Sequence, residues 1–376
     1  MLCLASLGWA FSFGLGAPLA SLWLGNAGLS GKAIGLNTSL YYLGVALAAP
    51  LVPWLMPRGN RACVVAGMVL DAAATAAFPL CRGALAWHLL RLAGGVGTAF
   101  SLIPMETLVN HDAPPERRAR DFGFYAFSVA LGIALGSVVG LPLAPHLPRL
   151  TFALGGLVTL LSVAFAWSAL PARAGHDPEE AGQEALPLRV GVLSLGTAWA
   201  QGFLEGGTVT FLALYLLTLG YTGAGVGCLM GGLFAGVILA QLPLASLADR
   251  LGRLRVLLLC HALLLAGVLL TPFARAALPL GACLFVMGAS CGALYPLGLA
   301  LLGERIGPAG LAKANAWYLA CNCAGSLSGP LLLGLVVDWF GLRAQFVVGA
   351  AAVVLVLAAW GGLPAPRAVL PHCSRR

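Results

Sequence analysis

The chain has 376 residues, with 21 Lys and Arg against 13 Asp and Glu and a formal net charge of +8. Charged residues make up 9% and hydrophobic residues 60%, with a mean hydropathy of +0.93, whereas a soluble domain carries about 25% charged residues. Such a chain cannot cover itself with water-compatible surface, so hydrocarbon must be the solvent for much of it, and there every backbone N–H and C=O has to be satisfied internally by helices or a closed barrel.

The apolar runs are about 18–25 residues long and do not alternate, which selects helices. They fall at about 2–24, 34–56, 62–80, 86–110, 122–143 and 150–170. A polar stretch from Pro171 to Arg189 follows, with Asp177, Glu179, Glu180 and Glu184. Further runs lie at about 190–219, 227–247, 256–272, 279–302, 314–337 and 344–363. The expectation is therefore an all-α membrane protein of twelve transmembrane helices: a six-helix bundle over 1–170, a cytoplasmic linker over 171–189, a second bundle over 190–363 and a cytoplasmic tail over 364–376. Met1 leads into an apolar segment with no basic stretch before it, so that segment is expected to be the first membrane helix and not a cleaved signal.

The basic residues test this count. Fifteen lie after even-numbered runs, in the linker or in the tail; only Lys32, Arg82, Arg149, Arg275 and Arg343 follow odd-numbered runs, and Arg91 lies inside one. Positive charge is retained on the cytoplasmic side, so both termini and the linker are expected there. The basic residues are scattered in twos and threes with no stripe, which argues against nucleic acid as a partner. Most of the ten cysteines, Cys63, Cys228, Cys260, Cys283 and Cys291 among them, sit inside apolar runs, as does the one close pair, Cys321 and Cys323. There cysteine behaves as a small hydrophobe, so neither a metal nor a cofactor is expected.

The halves repeat. Gly-Leu-Ser-Gly-Lys-Ala-Ile-Gly at 28–35 faces Gly-Tyr-Thr-Gly-Ala-Gly-Val-Gly at 220–227. At a constant offset of 193, Gly59 faces Gly252, Gly95 faces Gly288, and Tyr125, Gly132 and Gly136 face Tyr318, Gly325 and Gly329. Several matches in one register point to an internal duplication.

Between the eighth and ninth runs lies Leu247-Ala248-Asp249-Arg250-Leu251-Gly252-Arg253. It resembles the G-x-L-a-D-R-x-G-R-[RK] loop between the second and third helices of each half of major facilitator superfamily transporters, in particular a poorly characterised bacterial branch. The resemblance implies a two-bundle fold in which Asp249, Arg250, Gly252 and Arg253 form a gating loop, stabilising one gate state through modest charge–dipole contacts. The first-half copy, Met56-Pro57-Arg58-Gly59-Asn60-Arg61, has Met56 in place of the acid. Arg91-Leu92-Ala93-Gly94-Gly95-Val96-Gly97-Thr98-Ala99 resembles the superfamily's R-x-x-x-G-x-G-x-A pattern. A guanidinium inside a membrane helix needs a wet cavity or a partner, which suggests substrate or proton-site electrostatics. Gly132, Gly136 and Gly140, with Gly325, Gly329, Pro330 and Gly334, resemble the glycine-rich fifth-helix motif of antiporters, although the Gly-Pro step stands in the second half. Small residues at this spacing also simply allow close helix packing.

Glu205 lies in the seventh run, with Gln201, Thr197 and Thr208 on the same helical face. A polar stripe on an apolar helix should line an aqueous cavity, and a carboxyl there could load and release a proton near neutral pH. Asp71 and Glu106 are further acid candidates; Glu106 also reads as an interfacial charge. It is fifteen residues from Arg91, about 22 Å along a helix, so the two cannot pair. Asn37 and Tyr41, Asn315, Tyr318 and Asn322, and Trp9 and Ser12 are other polar positions that could line the pathway or bond between helices. His88 and His261 lack partners at ligand spacing and read as structural.

The resemblance thus implies a secondary transporter in the cytoplasmic membrane, moving a small-molecule solute by alternating access, with protons as the coupling ion resting on Glu205 and Asp71. The glycine motif points to export of small amphipathic compounds, the preferred reading; Arg91 points instead to uptake of an anionic metabolite. A receptor of transporter form that binds without moving its ligand is the other alternative. The chain has no Walker P-loop or H-E-x-x-H, so neither ATP use nor an enzyme is expected. A monomer is the family's usual form.

Overall fold

A computed structural model describes residues 1–112, 118–170, 188–304, 306 and 308–363. Among them are twelve α-helices and no strand: α1 (Leu2–Asn26), α2 (Gly31–Ala48), α3 (Val52–Ala77), α4 (Ala84–Asp112), α5 (Arg118–Leu143), α6 (Pro148–Ala169), α7 (Leu188–Thr218), α8 (Gly223–Leu251), α9 (Arg253–Leu270), α10 (Ala277–Gly303), α11 (Pro308–Phe340) and α12 (Ala344–Gly361). Ten stretches, those containing every helix except α3 and α7, are long and apolar enough to cross a bilayer. The two less apolar helices carry Asp71 and the Gln201–Glu205 stripe. The outward faces are greasy: Leu242 is 78% and Leu278 86% exposed, which hydrocarbon accommodates and water does not. Most of the linker and the tail lie outside the described residues.

Most helices begin a few residues before the apolar runs, and at α2 and α8 a side-chain cap sets the start. Gly28 (φ 79°) and Gly220 (φ 88°) turn the chain in the left-handed region. Two residues on, the Ser30 side chain accepts from Ala33 N and the Thr222 side chain from Gly225 N, 3.3 Å each, satisfying orphan donors of the first turn. The repeat at 28–35 and 220–227 is thus one device used twice. The boundary between α2 and α3 departs from expectation. Met56–Arg61, read as a loop, has a helical backbone inside α3, and the break is the 3₁₀ turn at Ala49–Leu51. Proline decides this: Pro50 and Pro53 each stand in a first turn, at N1 or N2, where the missing N–H costs nothing. The side chains of 56–59 lie outside the described residues.

The first bundle packs α1 on α5 and α6, and α4 on α2 and α3; the second packs α7 on α11, α10 and α12, and α8 on α10. The glycine register is the reason. A Cβ at Gly132 or Gly136 would strike the backbone of α1 at Leu7 or Phe11; at Gly325 or Gly329 it would strike α7 at Trp199 or Phe203. Gly95 lies against Tyr41 of α2 as Gly288 lies against Leu233 of α8. A further pair, Gly44 against Leu92 and Gly236 against Phe285, repeats the same crossing.

The halves meet along α2–α11, α5–α8 and α1–α7. The turns after odd-numbered helices lie at one end of the molecule, and there the seams are closed. Gly35 abuts Pro330 and Gly334, Gly31 abuts Gly334, and Gly223 and Gly227 abut Leu141 and Pro142. Among the described residues the hydrogen bonds across the divide are Gly31 N and Lys32 N to the Asp338 carboxylate (2.5 and 2.9 Å) and Ser39 Oγ to Leu327 O (2.7 Å).

This packing predicts that Gly325→Val destabilises the protein by about 1–3 kcal/mol through overpacking against α7. Gly123, where a Cβ would meet nothing within 4 Å, should accept alanine with a neutral or slightly raised melting midpoint. Thermal unfolding in detergent checks both.

Candidate functional site

Glu205 stands near the middle of α7, and its position in the bilayer is made tolerable by a chain of amides. Asn322 of α11 donates through Nδ2 to Gln201 Oε1 and to Ala198 O (2.5 and 3.1 Å). Gln201 Nε2 in turn donates to Glu205 Oε2 (2.5 Å). One turn of helix brings residues 201 and 205 together; the glycine-driven approach of α11 to α7 brings Asn322 within reach. Gln201 is buried while Glu205 is exposed, and its exposure is toward a cavity of about 180 Å³. Gln201, Glu205 and Thr208 are polar groups on that wall; Leu204, Phe234, Val237 and Met287 give it an apolar surface, and Cys291 of α10 also lines it. Among the described residues of the first half, those on the wall are Ala130 and Ile133 of α5. The expected polar stripe therefore does line a cavity, except for Thr197. That residue is fully buried and bonds to His261 Nε2 at 3.3 Å, while His261 Nδ1 meets Leu257 O at 2.9 Å. His261 thus ties α9 to α7, a structural role.

A second polar cluster occupies the first half. Asp71 of α3 is 5% exposed, its carboxylate facing Gly94 of α4 across the gap a Cβ there would narrow to 3.3 Å. Arg91, one turn before Gly94, places its guanidinium 4.7 Å from the Tyr41 ring centroid. Asp71, Arg91, Tyr41 and Thr75 share a cavity of about 20 Å³, room for about one water. Among the described residues Arg91 Nε and Nη2 are buried without a hydrogen-bond partner, so the aromatic face and the nearby carboxylate carry its electrostatics. Tyr41 is fixed by a 2.6 Å hydrogen bond between its hydroxyl and Thr98 Oγ1. Arg91 is not on the wall of the large cavity. Tyr42, not singled out in the sequence, stands between the two clusters: its ring is at right angles to Tyr41, and its Cε2 lies 3.3 Å from where a Cβ on Gly206 would stand.

Other candidates fall elsewhere. Asn37 is buried, bonding to Trp87 O and His88 Nδ1 at 3.1 Å each. Tyr318 donates to Tyr295 O at 2.8 Å and packs on Gly298; it joins α11 to α10 and does not line the cavity. Asn315 is exposed and borders neither cavity, and Trp9 and Ser12 are buried in the first bundle. Glu106 is half-buried and within electrostatic reach of Tyr125 and Tyr295, away from both cavities.

At the α8–α9 turn, Gly252 takes φ 91°. Arg253 donates to Ala300 O (2.8 Å) and pairs with Glu304 at 3.2 Å, within its own half. Asp249 and Arg250 are exposed, with no ion pair among the described residues. In the first half Arg61 plays a comparable part. It donates twice to Leu170 O (2.9 and 2.6 Å) at the end of α6 and lies over Trp167, capping a helix C-terminus.

The family model described as Major Facilitator Superfamily matches residues 2–226 and 195–372. Curated relatives include the uncharacterized MFS-type transporter YfkF of Bacillus subtilis (strain 168), 28% identical over 342 residues, covering 88% of this chain and 86% of that one. YcaD of Escherichia coli O9:H4 (strain HS), also an uncharacterized MFS-type transporter, is 27% identical over 337 residues at 88% and 86% coverage. Among solved structures, a bacterial homolog of the human lysosomal transporter Spinster, in an inward-facing and unoccupied conformation, superposes with TM-score 0.80 at 16% identity, covering 96% of this chain and 94% of that one. The nucleoside transporter NupG gives 0.76 at 15% identity, with 96% and 97% covered. At such identities the two structures establish the fold alone.

The Tyr41 geometry predicts a graded response. Tyr41→Phe removes one hydrogen bond but keeps the ring beneath Arg91, costing about 1 kcal/mol. Tyr41→Leu also removes the cation–π contact and should cost about 1–2 kcal/mol more. Melting midpoints of the two purified variants check the order.

Proposed function

The chain belongs to the Major Facilitator Superfamily and is a multi-pass membrane transporter, not an enzyme; from that premise we propose that it exports small amphipathic, cationic or neutral compounds in exchange for protons taken up at Glu205. The observation that carries this reading is the single acid on a largely apolar cavity wall. An apolar cavity offers an amphipathic solute hydrophobic burial, and one carboxyl group can hold either a proton or a cationic head, not both. Such competition at one site is enough to couple two fluxes in opposite directions. Compounds of this chemistry diffuse inward through lipid unaided, so a protein that handles them is of use chiefly as an exporter.

Uptake of an anionic metabolite, the alternative that Arg91 suggested, has less support. The cavity beside Arg91 holds about one water, and its guanidinium faces Tyr41 and Asp71. In the proposed orientation, which rests on the distribution of Lys and Arg, the turns after odd-numbered helices are outside and both termini are cytoplasmic. The molecule works as two bundles, 1–170 and 190–363, rocking about the cavity, most simply as a monomer.

Proteoliposomes test this. A labelled lipophilic cation should show counterflow and an organic anion of similar size none; binding without counterflow would favour the receptor reading. Substrate-driven proton flux should fall to background in Glu205→Gln while counterflow of a neutral amphipathic compound persists. Coupled transport at the wild-type rate in that variant would remove Glu205 from the mechanism.

A further inference from the structure

The internal duplication supplies its own control for the contact that closes one end of the molecule. At the α2–α11 seam the N-terminus of α2 rests on Gly334 and Asp338; at the α5–α8 seam the N-terminus of α8 rests on Leu141 and Pro145. These are equivalent contacts in the duplication: Gly31 corresponds to Gly223 at an offset of 192, and Leu141 to Gly334 and Pro145 to Asp338 at 193. The fold thus closes this seam with an apolar ring in one copy and with a carboxylate in the other, so packing alone does not require the acid. Asp338 accepts from the first two backbone N–H groups of α2, Gly31 N on one oxygen and Lys32 N on the other. These donors have no partner within their own helix, and the positive end of the α2 dipole lies on the same atoms. The bond joins the two halves across 307 residues of sequence.

At the opposite end the gating loop is in the complementary condition. Asp249 is exposed and has no ion pair among the described residues, while Arg253 is held inside its own half by Ala300 and Glu304. We propose that Asp338 is a latch that holds the outer side of the transporter shut, the counterpart of the gating loop at the inner side, and that it releases α2 whenever the protein turns outward. The sidedness in this statement rests on the orientation proposed above; the latch itself rests on geometry. Because each acid is present in one half only, each gate is secured along a single seam, and the balance between the two states depends on two carboxylates. The capping contact persists only while α2 and α11 touch, so it stabilises one state selectively, as a population shift demands. Asp338 is exposed, and a charge of that kind at a helix N-terminus commands a shift of about two- to fivefold in such a balance.

The test reads the cavity's accessibility in cells expressing the full chain with Cys291 as its one cysteine, using a membrane-impermeant maleimide. A cysteine at Ala84, the exposed first residue of α4, reports separately which end is outside. With Asp338 intact, Cys291 should be shielded from outside. Asp338→Asn should raise its external labelling by about two- to fivefold, and Asp338→Glu should restore shielding. Asp249→Asn should change labelling in the opposite sense, and the double variant should return toward the parent. If Asp338→Asn lowers the melting midpoint but leaves Cys291 as shielded as before, the acid is merely a helix cap and the latch is refuted. Normal shielding with normal transport refutes it equally. If Asp338→Asn behaves as expected and Asp249→Asn does nothing, the latch stands and the gating-loop reading falls. Labelling of Ala84→Cys from the cytoplasmic side would overturn the orientation and reverse which gate Asp338 closes.

Discussion

A carboxyl group in the middle of a bilayer must be wet, protonated or paired, and Glu205 is placed so that it can be any of these in turn. Water can reach it from the cavity, Gln201 supplies one neutral donor, and no cation is bonded to it among the described residues. A fixed Arg or Lys partner would have held the charge permanently; an apolar shell without Gln201 would have forbidden it. The neutral relay from Asn322 through Gln201 leaves the group free to change state.

The rest of the architecture follows from keeping that group accessible while the helices around it stay packed. Hydrocarbon provides no hydrophobic drive between helices, so close backbone contact has to hold them. Glycines at 95, 132 and 136, and their copies at 288, 325 and 329, bring α4 onto α2, α5 onto α1, α10 onto α8 and α11 onto α7. The α11–α7 crossing is also the one that brings Asn322 to Gln201. Packing and the proposed proton site therefore share the same helix pair, and α11 carries Asp338 one end further along. A rigid helix that touches α7 beside Glu205 through one residue and α2 through another physically connects the cavity wall to the closed end of the molecule.

Much of this can be read from the chain because it is written in local patterns. Twelve apolar runs, a constant offset of 193 and glycines at helical spacing require no knowledge of the fold, and the stripe of Gln201, Glu205 and Thr208 follows from 3.6-residue periodicity. The misreadings have physical causes. The polar residues Arg58, Asn60 and Arg61 suggest a loop between α2 and α3, whereas backbone geometry obeys the prolines at 50 and 53. Tyr318 shares a helix with Asn322 but turns to α10, and spacing does not say which neighbour a side chain meets. Asp338 is silent in the sequence because its partners are backbone N–H groups more than 300 residues away. Tyr42 hides beside the more conspicuous Tyr41, because two adjacent tyrosines point to different neighbours and one sequence cannot rank them.

The proposed protonation change at Glu205 can be observed by infrared difference spectroscopy of the reconstituted protein. Adding a lipophilic cation at neutral pH should deplete a protonated carboxyl band and raise a carboxylate band, and the pair should vanish in Glu205→Gln. A difference spectrum with no carboxyl signal, or one that persists unchanged in that variant, would contradict it.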